Sequence, residues 1–222
     1  MSTSGGGSIN AALFIVVIAL AVQAGMVLLA GRRPSLTPVA VGLWLLVAIP
    51  SVVQFRFPAL LTSLRRDPEL VRHHGQVWRV LTSVLVQDGG WPGTIFNLIV
   101  LAVVAVFAAQ VWGPLLTPVV FLLSHLVFGI CAVFLSPDVG AGNSGATLGL
   151  AAATVAAAPL LRSEKALWVR AFGVLVAGAV LVARQDAHGL AVLGGLLIGA
   201  VFVLAGEPGG KLWQTRQHHA QG

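Results

Sequence analysis

Three polar side chains with complementary chemistry lie at the starts of apolar runs in this chain: Asn97, Ser144 and His188. A serine hydroxyl is a poor nucleophile unless a base such as histidine takes its proton, and the oxyanion that follows needs hydrogen-bond donors aimed at it. In this set Ser144 is the candidate nucleophile, His188 the base and Asn97 a donor to the oxyanion. The residue types therefore indicate acyl transfer, and no carboxylate is expected to orient the histidine.

The candidate nucleophile lies in a small polar stretch, 142–149, which opens a long alanine-rich run. Because the first backbone N–H groups of a helix lack intrahelical acceptors, a helix that starts at Ser144 would favour an anion beside the hydroxyl. The stretch lacks the strand and the glycine spacing of the nucleophile elbow in soluble hydrolases. Small residues at these spacings are also common packing devices in membrane helices, so the stretch indicates catalysis only together with Asn97 and His188.

The composition indicates an integral membrane protein. Of the 222 residues 57% are hydrophobic and only 9% are charged, and helices or closed barrels are the only backbones that cross a bilayer. Each of seven apolar runs is long enough to cross about 30 Å of hydrocarbon as a helix. These runs are 9–30, 37–53, 94–112, 115–135, 145–161, 166–183 and 187–205. The predicted fold is an all-α polytopic bundle of six core helices plus one extra N-terminal transmembrane helix.

The order of these helices predicts that the three polar residues meet. Asn97, Ser144 and His188 each lie near the start of the third, fifth or seventh predicted helix, and alternate helices of a polytopic bundle run in the same direction. All three residues therefore lie at similar depth on one side of the membrane, whichever way the protein faces.

Small residues predict a close contact between the fifth and seventh helices. His188, Ala191, Gly195 and Gly199 follow at steps of three and four and share one face, and the run 145–161 is small almost all round. Small residues at such spacing allow two helix backbones to approach closely. A short hydrogen bond between serine and histidine requires this approach.

Charge and the remaining polar residues exclude several functions. The net charge of +6 comes from basic residues spread between helices, so we expect contact with lipid head groups and no nucleic-acid partner. Cys131 is the only cysteine, which excludes a disulfide framework and a cysteine metal site, and no metal or cofactor is predicted. For His125 in the fourth helix a structural hydrogen bond is favoured over a proton relay.

The chain divides into a disordered start with the extra helix (1–36), a six-helix core (37–206) and a polar tail (207–222). No functional side chain stands out in the first two helices, and the long connection 56–92 mixes charged and apolar residues as short interfacial segments do. The short loops favour an external N-terminus, which turns the site toward the outer face. The composition points to a bacterial plasma membrane.

With these motifs the sequence resembles the rhomboid family of intramembrane serine proteases over about residues 37–205. The matching features are Gly142, Ser144 and Gly145 for the family's Gly-x-Ser-Gly motif, His188 before a glycine-spaced helix with Gly195 and Gly199, Asn97 in the second core helix, and Trp78 with Arg79 in the first loop.

The resemblance implies a Ser144–His188 dyad that cleaves transmembrane segments of other membrane proteins near their outer ends. We assign the oxyanion hole to Asn97, Ser144 and Asn143, while Trp78 and Arg79 would anchor the first loop.

The chain departs from the family pattern at three positions. Gly93 stands where the family usually has an oxyanion histidine, Leu148 where an aromatic residue stacks on the catalytic histidine, and Gln110 where a glutamate is common. The predicted function is an intramembrane serine endopeptidase. The alternatives are a rhomboid-like protein that binds membrane helices without cutting them, and an unrelated small transporter, which the helix count alone suggests.

Overall fold

The computed structural model describes residues 7–135 and 137–206, and this part of the chain contains nine α-helices and no β-strand. They are α1 (Ser8–Leu29), α2 (Pro38–Val53), α3 (Ala59–Leu64), α4 (Pro68–His74), α5 (Arg79–Thr82), α6 (Gly90–Phe134), α7 (Ser144–Leu161), α8 (Lys165–Ala183) and α9 (His188–Leu204). Residues 1–6 of the expected disordered start and the polar tail 207–222 lie outside the described residues, and the division into three parts stays a prediction.

All seven predicted apolar runs are helical, and the all-α polytopic fold is confirmed. Among the described residues, α1, α6, α7 and α8 are long and apolar enough to cross a membrane. The other two apolar helices, α2 and α9, are shorter, with 16 and 17 residues. Most predicted ends agree with the structure to within one residue, because the hydrophobic runs end where charged or turn-forming residues begin.

The longest helix, α6, covers two of the predicted spans and is broken at Gly113, whose φ of 71° and ψ of −172° are not helical. Asn97 and Phe128 lie in the segments before and after this break, 31 residues apart, which would separate them by about 46 Å along a straight helix. Both nevertheless lie at the same end of the bundle. Asn97 approaches Gly142 in the loop before α7, and the Phe128 ring lies 4.9 Å from the ring of His188 at the start of α9. The two segments therefore form the predicted hairpin.

Three short helices, α3, α4 and α5, form the long connection between α2 and α6, and Arg79 holds them together. Its Nη1 donates to the carbonyl oxygens of Thr62 and Arg65, both at 2.9 Å, and its Nε donates to Gln76 Oε1 at 2.6 Å. The side chain is buried, whereas the neighbouring Trp78 is 51% exposed. Arg79 thus joins α3 to the residues before α5, and the structural role that the resemblance implies for Trp78 and Arg79 stays a prediction.

The closest helix contact joins α7 to α9. A Cβ atom at Gly195 would lie 2.2 Å from the carbonyl oxygen of Gly149, and one at Gly199 would lie 2.3 Å from that of Ala153. Such distances are far below van der Waals contact, so only glycine fits at these two positions of α9. The contact holds the N-terminal ends of α7 and α9 side by side.

We expect Gly195→Ala to push α9 away from α7, because the added methyl group meets rigid backbone. Overpacking of this kind costs about 1–3 kcal/mol, which thermal unfolding in detergent would detect as a lower melting temperature. Gly42→Ala is the matched control, since a Cβ at this glycine of α2 meets nothing within 4 Å. Equal melting temperatures for the two variants would contradict the close contact.

Candidate active site

The site is built on the first residues of two helices. Ser144 begins α7 and His188 begins α9, and Ser144 Oγ lies 2.8 Å from His188 Nε2. This separation is within hydrogen-bond range for a nucleophile and its general base. The sequence predicted that the two residues meet, and the structure brings them together.

A carboxylate orients the histidine, which the sequence analysis did not expect. Asp186 Oδ1 lies 2.7 Å from His188 Nδ1 and accepts a hydrogen bond from the His188 backbone N–H at 3.0 Å. The expectation of a histidine without a carboxylate was therefore wrong. Asp186 escaped notice because it lies in the turn between α8 and α9, outside the apolar runs in which polar residues attract attention. The Asp-x-His spacing was the available signal.

The charge state of Asp186 follows from two opposing effects. Burial acts to raise its pKa, but the hydrogen bonds from His188 and Asn10 and the charge of His188 outweigh burial, so the net pKa lies below the usual value. The group is therefore a carboxylate at neutral pH. A carboxylate on Nδ1 places the proton there and leaves Nε2 free to accept the serine proton.

Two aromatic rings enclose the histidine. The centroids of Phe14, from α1, and Phe128, from α6, each lie 4.9 Å from the His188 ring. Leu148, where the resemblance placed a stacking aromatic residue, is buried and lines a small pocket with Phe14. The rings thus come from α1 and α6, although no side chain of α1 stood out in the sequence.

The space beside the Ser144 hydroxyl is left open by a glycine. Gly142 has a φ of 152°, which side chains rarely allow, and a Cβ there would lie 3.2 Å from Gln87 Oε1, 3.6 Å from Asn97 Nδ2 and 3.7 Å from Ser144 Oγ. One Asn97 N–H donates to Gln87 Oε1 at 2.8 Å, and the amide carries a second donor. Asn97 therefore lies where the sequence analysis placed it.

Asn143, the third residue assigned to the oxyanion hole, has a fully buried side chain that is engaged in hydrogen bonds. Its Oδ1 accepts from Gln87 Nε2 at 2.8 Å, and its Nδ2 donates to Thr147 Oγ1 at 2.8 Å. These bonds use the side chain to hold the loop before α7. Any donor from this position to an oxyanion would be the backbone N–H.

Gln87 links the polar groups behind the site, and the sequence analysis missed it. The side chain is 1% exposed, and besides Asn97 and Asn143 it contacts Ser51 Oγ at 3.2 Å. Its backbone and the Gln54 side chain exchange two hydrogen bonds, of 2.7 and 2.9 Å. A glutamine in a loop of mixed polarity gives no periodic signal, so only the fold identifies it.

His125 supports the same loop from the second segment of α6. Its Nε2 lies 3.2 Å from Ser83 Oγ in a fully buried setting, and the Ser83 carbonyl accepts from Gly142 N–H at 2.9 Å. This arrangement agrees with the structural hydrogen bond favoured from the sequence. Gln110, which stands where a glutamate is common in the family, also lies in α6. Its side chain donates to both the carbonyl and the hydroxyl oxygen of Ser35, each at 3.0 Å.

A polar cavity of about 280 Å³ opens beside Ser144 and His188. Arg66 and Asp88 lie in its wall, with the Arg66 guanidinium 4.9 Å from the centre of the Phe128 ring. Burial raises the pKa of Asp88, against its hydrogen bond from Ala141 and the charge of Arg66, which lower it. The cavity leaves open, polar space beside the serine. Within the described residues, no cluster of His, Cys, Asp and Glu is placed to hold a metal ion.

The fold and this site define a polytopic membrane protein in which Ser144 contacts His188 and His188 contacts Asp186. The serine and the histidine begin two closely packed helices, and the aspartate lies in the turn before the second. The Rhomboid domain family matches residues 74–206, and the chain belongs to this family. No curated protein matches the chain. The match includes Asn97, Ser144 and His188 but leaves out α1, α2 and α3.

We expect Asp186→Asn to slow the reaction of Ser144 with a fluorophosphonate by about 10²-fold, because a misoriented imidazole removes the serine proton poorly. Gel fluorescence of the labelled protein against time gives the rate. Asp138→Asn is the matched control, since it makes the same change in the wall of the same cavity. Equal labelling rates for both variants would show that Asp186 does not act on the histidine.

Proposed function

We propose that this protein is an intramembrane serine endopeptidase that cleaves transmembrane segments of other membrane proteins. The observation that carries the proposal is the 2.8 Å contact between Ser144 Oγ and His188 Nε2, in a chain whose family consists in general of such proteases. The open cavity beside this pair supplies room for a peptide.

The reaction begins when His188 Nε2 removes the proton of Ser144 and the serine oxygen attacks the peptide carbonyl. Asp186 stabilises the imidazolium that forms, because its carboxylate lies on the other ring nitrogen. The imidazolium then protonates the leaving amine, and the acyl-enzyme remains on Ser144. Water from the polar cavity, deprotonated by His188, hydrolyses this ester and restores the serine. The chemistry requires no metal or cofactor.

The oxyanion is stabilised by donors that are already in place. The first N–H groups of α7, including that of Ser144, serve as donors to the oxyanion, because they lack intrahelical acceptors. Asn97 adds its second amide hydrogen. Because Gln87 holds the Asn97 amide at 2.8 Å, this donor is oriented before the substrate arrives, which makes electrostatic stabilisation effective.

The substrates in this proposal are proteins with a single membrane-spanning helix, and the lipid bilayer is the shared solvent of enzyme and substrate. The site faces the outer side of a bacterial plasma membrane, as the basic residues of the short loops favour. Cleavage then falls near the outer end of the substrate helix.

A second candidate is a rhomboid-like protein that binds membrane helices without cleaving them. Gly93 favours it, because this position carries no side chain that could donate to the oxyanion, and a Cβ there would meet nothing within 4 Å. Phe14 and Phe128 weaken it, since they supply rings beside His188 despite the leucine at position 148.

Purified protein in proteoliposomes should cleave single-span substrates from a panel, and mass spectrometry should place the cut near the outer end of the span. Ser144→Ala and His188→Ala should each abolish cleavage, because each removes a group that forms or breaks bonds. Thr94→Ala is the control, since the Thr94 hydroxyl donates to the Gly90 carbonyl oxygen of its own helix at 2.7 Å. Cleavage that survives in both site variants would refute the protease, and substrate binding without cleavage in the wild type would establish the second candidate.

Asn97→Ala should lower kcat by about 10²-fold, as the loss of one oxyanion donor does, and leave KM nearly unchanged. The reason is that the second amide hydrogen gains a partner only when charge develops on the carbonyl oxygen. Initial rates over a range of substrate densities in the bilayer separate the two constants. A rise in KM at constant kcat would assign Asn97 to substrate binding.

A further inference from the structure

The N-terminal helix α1 lies outside the segment that matches the Rhomboid domain, yet it reaches the proposed site. It packs against α6, α7 and α8. Asn10 and Phe14 lie one turn apart on its inner face, and both contact the residues around His188: the Phe14 ring lies 4.9 Å from the imidazole, and Asn10 lines the same cavity as Ser144.

Asn10 binds the carboxylate that orients the histidine. Its Nδ2 donates to Asp186 Oδ2 at 2.8 Å. The other carboxylate oxygen, Asp186 Oδ1, contacts the backbone N–H and Nδ1 of His188. The side-chain oxygen of Asn10, Oδ1, accepts a hydrogen bond from Nε of Arg184. Both oxygens of the carboxylate are thus held, one by the histidine and the other by α1, and the hydrogen bond from Asn10 contributes to the lowered pKa of Asp186.

The position of Asn10 is costly for a helix that only anchors the chain. The side chain is 3% exposed, and a buried amide without partners costs about 1–3 kcal/mol. The other amide of α1, Gln23, is exposed. A membrane anchor needs no buried asparagine, whereas a helix that completes a polar site needs one at this point.

We propose that α1 is part of the catalytic site and that Asn10 is a positioning residue, which acts on His188 through Asp186. A carboxylate with one free oxygen can rotate about its Cβ–Cγ bond and lose the Nδ1 hydrogen, whereas the bond from Asn10 fixes its plane. Phe14 restrains the imidazole from the side. The inference rests on the proposed protease function for its kinetic consequence, but not for the contact itself.

The first experiment compares substitutions at Asn10 by cleavage kinetics. Asn10→Ala should lower kcat about 10-fold at constant KM, because the effect lies in the orientation of the base. Asn10→Leu should be at least as impaired, because leucine has a similar size but cannot donate a hydrogen bond to Asp186. Gln23→Ala on the same helix should match the wild type. Wild-type kcat in Asn10→Leu would show that Asn10 only docks α1, and would overturn the proposal.

A double-mutant cycle tests the route of the effect. If Asn10 acts through Asp186, Asn10→Ala should lower kcat little further once Asp186→Asn is present, because neighbours that act through one another are not additive. Two full, additive losses would show that Asn10 acts independently of Asp186.

The contact can also be tested without substrate. In protein labelled with ¹⁵N-histidine, the Nδ1 proton of His188, assigned by its loss in His188→Gln, should resonate far downfield because it bonds a carboxylate. The signal should move upfield in Asn10→Ala and Asn10→Leu and stay in place in Gln23→Ala. An unchanged signal in both Asn10 variants would overturn the inference. A wild type that shows the signal but cleaves nothing would refute only the protease function.

Discussion

The site depends on the close approach of two helix backbones. Lipid tails are as apolar as leucine, so helices in a bilayer are held together by packing and hydrogen bonds and not by a hydrophobic driving force between them. Where Gly195 faces Gly149 and Gly199 faces Ala153, α7 and α9 come close enough for backbone atoms to touch. The helices run in the same direction, so their first residues, Ser144 and His188, meet at one end. A longer side chain in this contact would separate Ser144 from His188.

The second constraint is that polar groups buried among apolar helices need partners. Gln54, Gln87, Asn97 and Asn143 satisfy one another in a connected set of hydrogen bonds behind Ser144. Each such bond contributes only about 0.5–1.5 kcal/mol net, but an unpaired member would cost about 1–3 kcal/mol. The set therefore fixes the geometry more than it adds stability. An oriented Asn97 amide follows from this network.

The sequence predicted the helices and the depth of three site residues, for reasons that particular positions illustrate. Hydrophobic length alone located the runs, and alternate helix direction placed Asn97, Ser144 and His188 at one end without any knowledge of packing. The site assignments themselves stay predictions. Asp186 and Gln87 could not be found in this way, because loop residues carry no periodicity. Phe14 is one apolar residue among many in α1, and only the tertiary packing shows that its ring lies against His188. Leu148, which has no aromatic ring, could not make this contact.

The contacts of α1 and of His188 with the turn between α8 and α9 depend on the charge of Asp186. Burial alone would favour a neutral Asp186, yet its pKa is lowered, so attraction and hydrogen bonding from His188 and Asn10 exceed the cost of desolvation. A carboxylate whose pKa is lower in the folded protein stabilises the fold at pH values above its unfolded pKa, and this contribution is lost as the pH falls through the folded value. Protonation would therefore weaken both the support of a charged imidazole and the hydrogen bond from Asn10 that helps to hold α1 to the core. The helix outside the family domain and the base within it depend on the same charge.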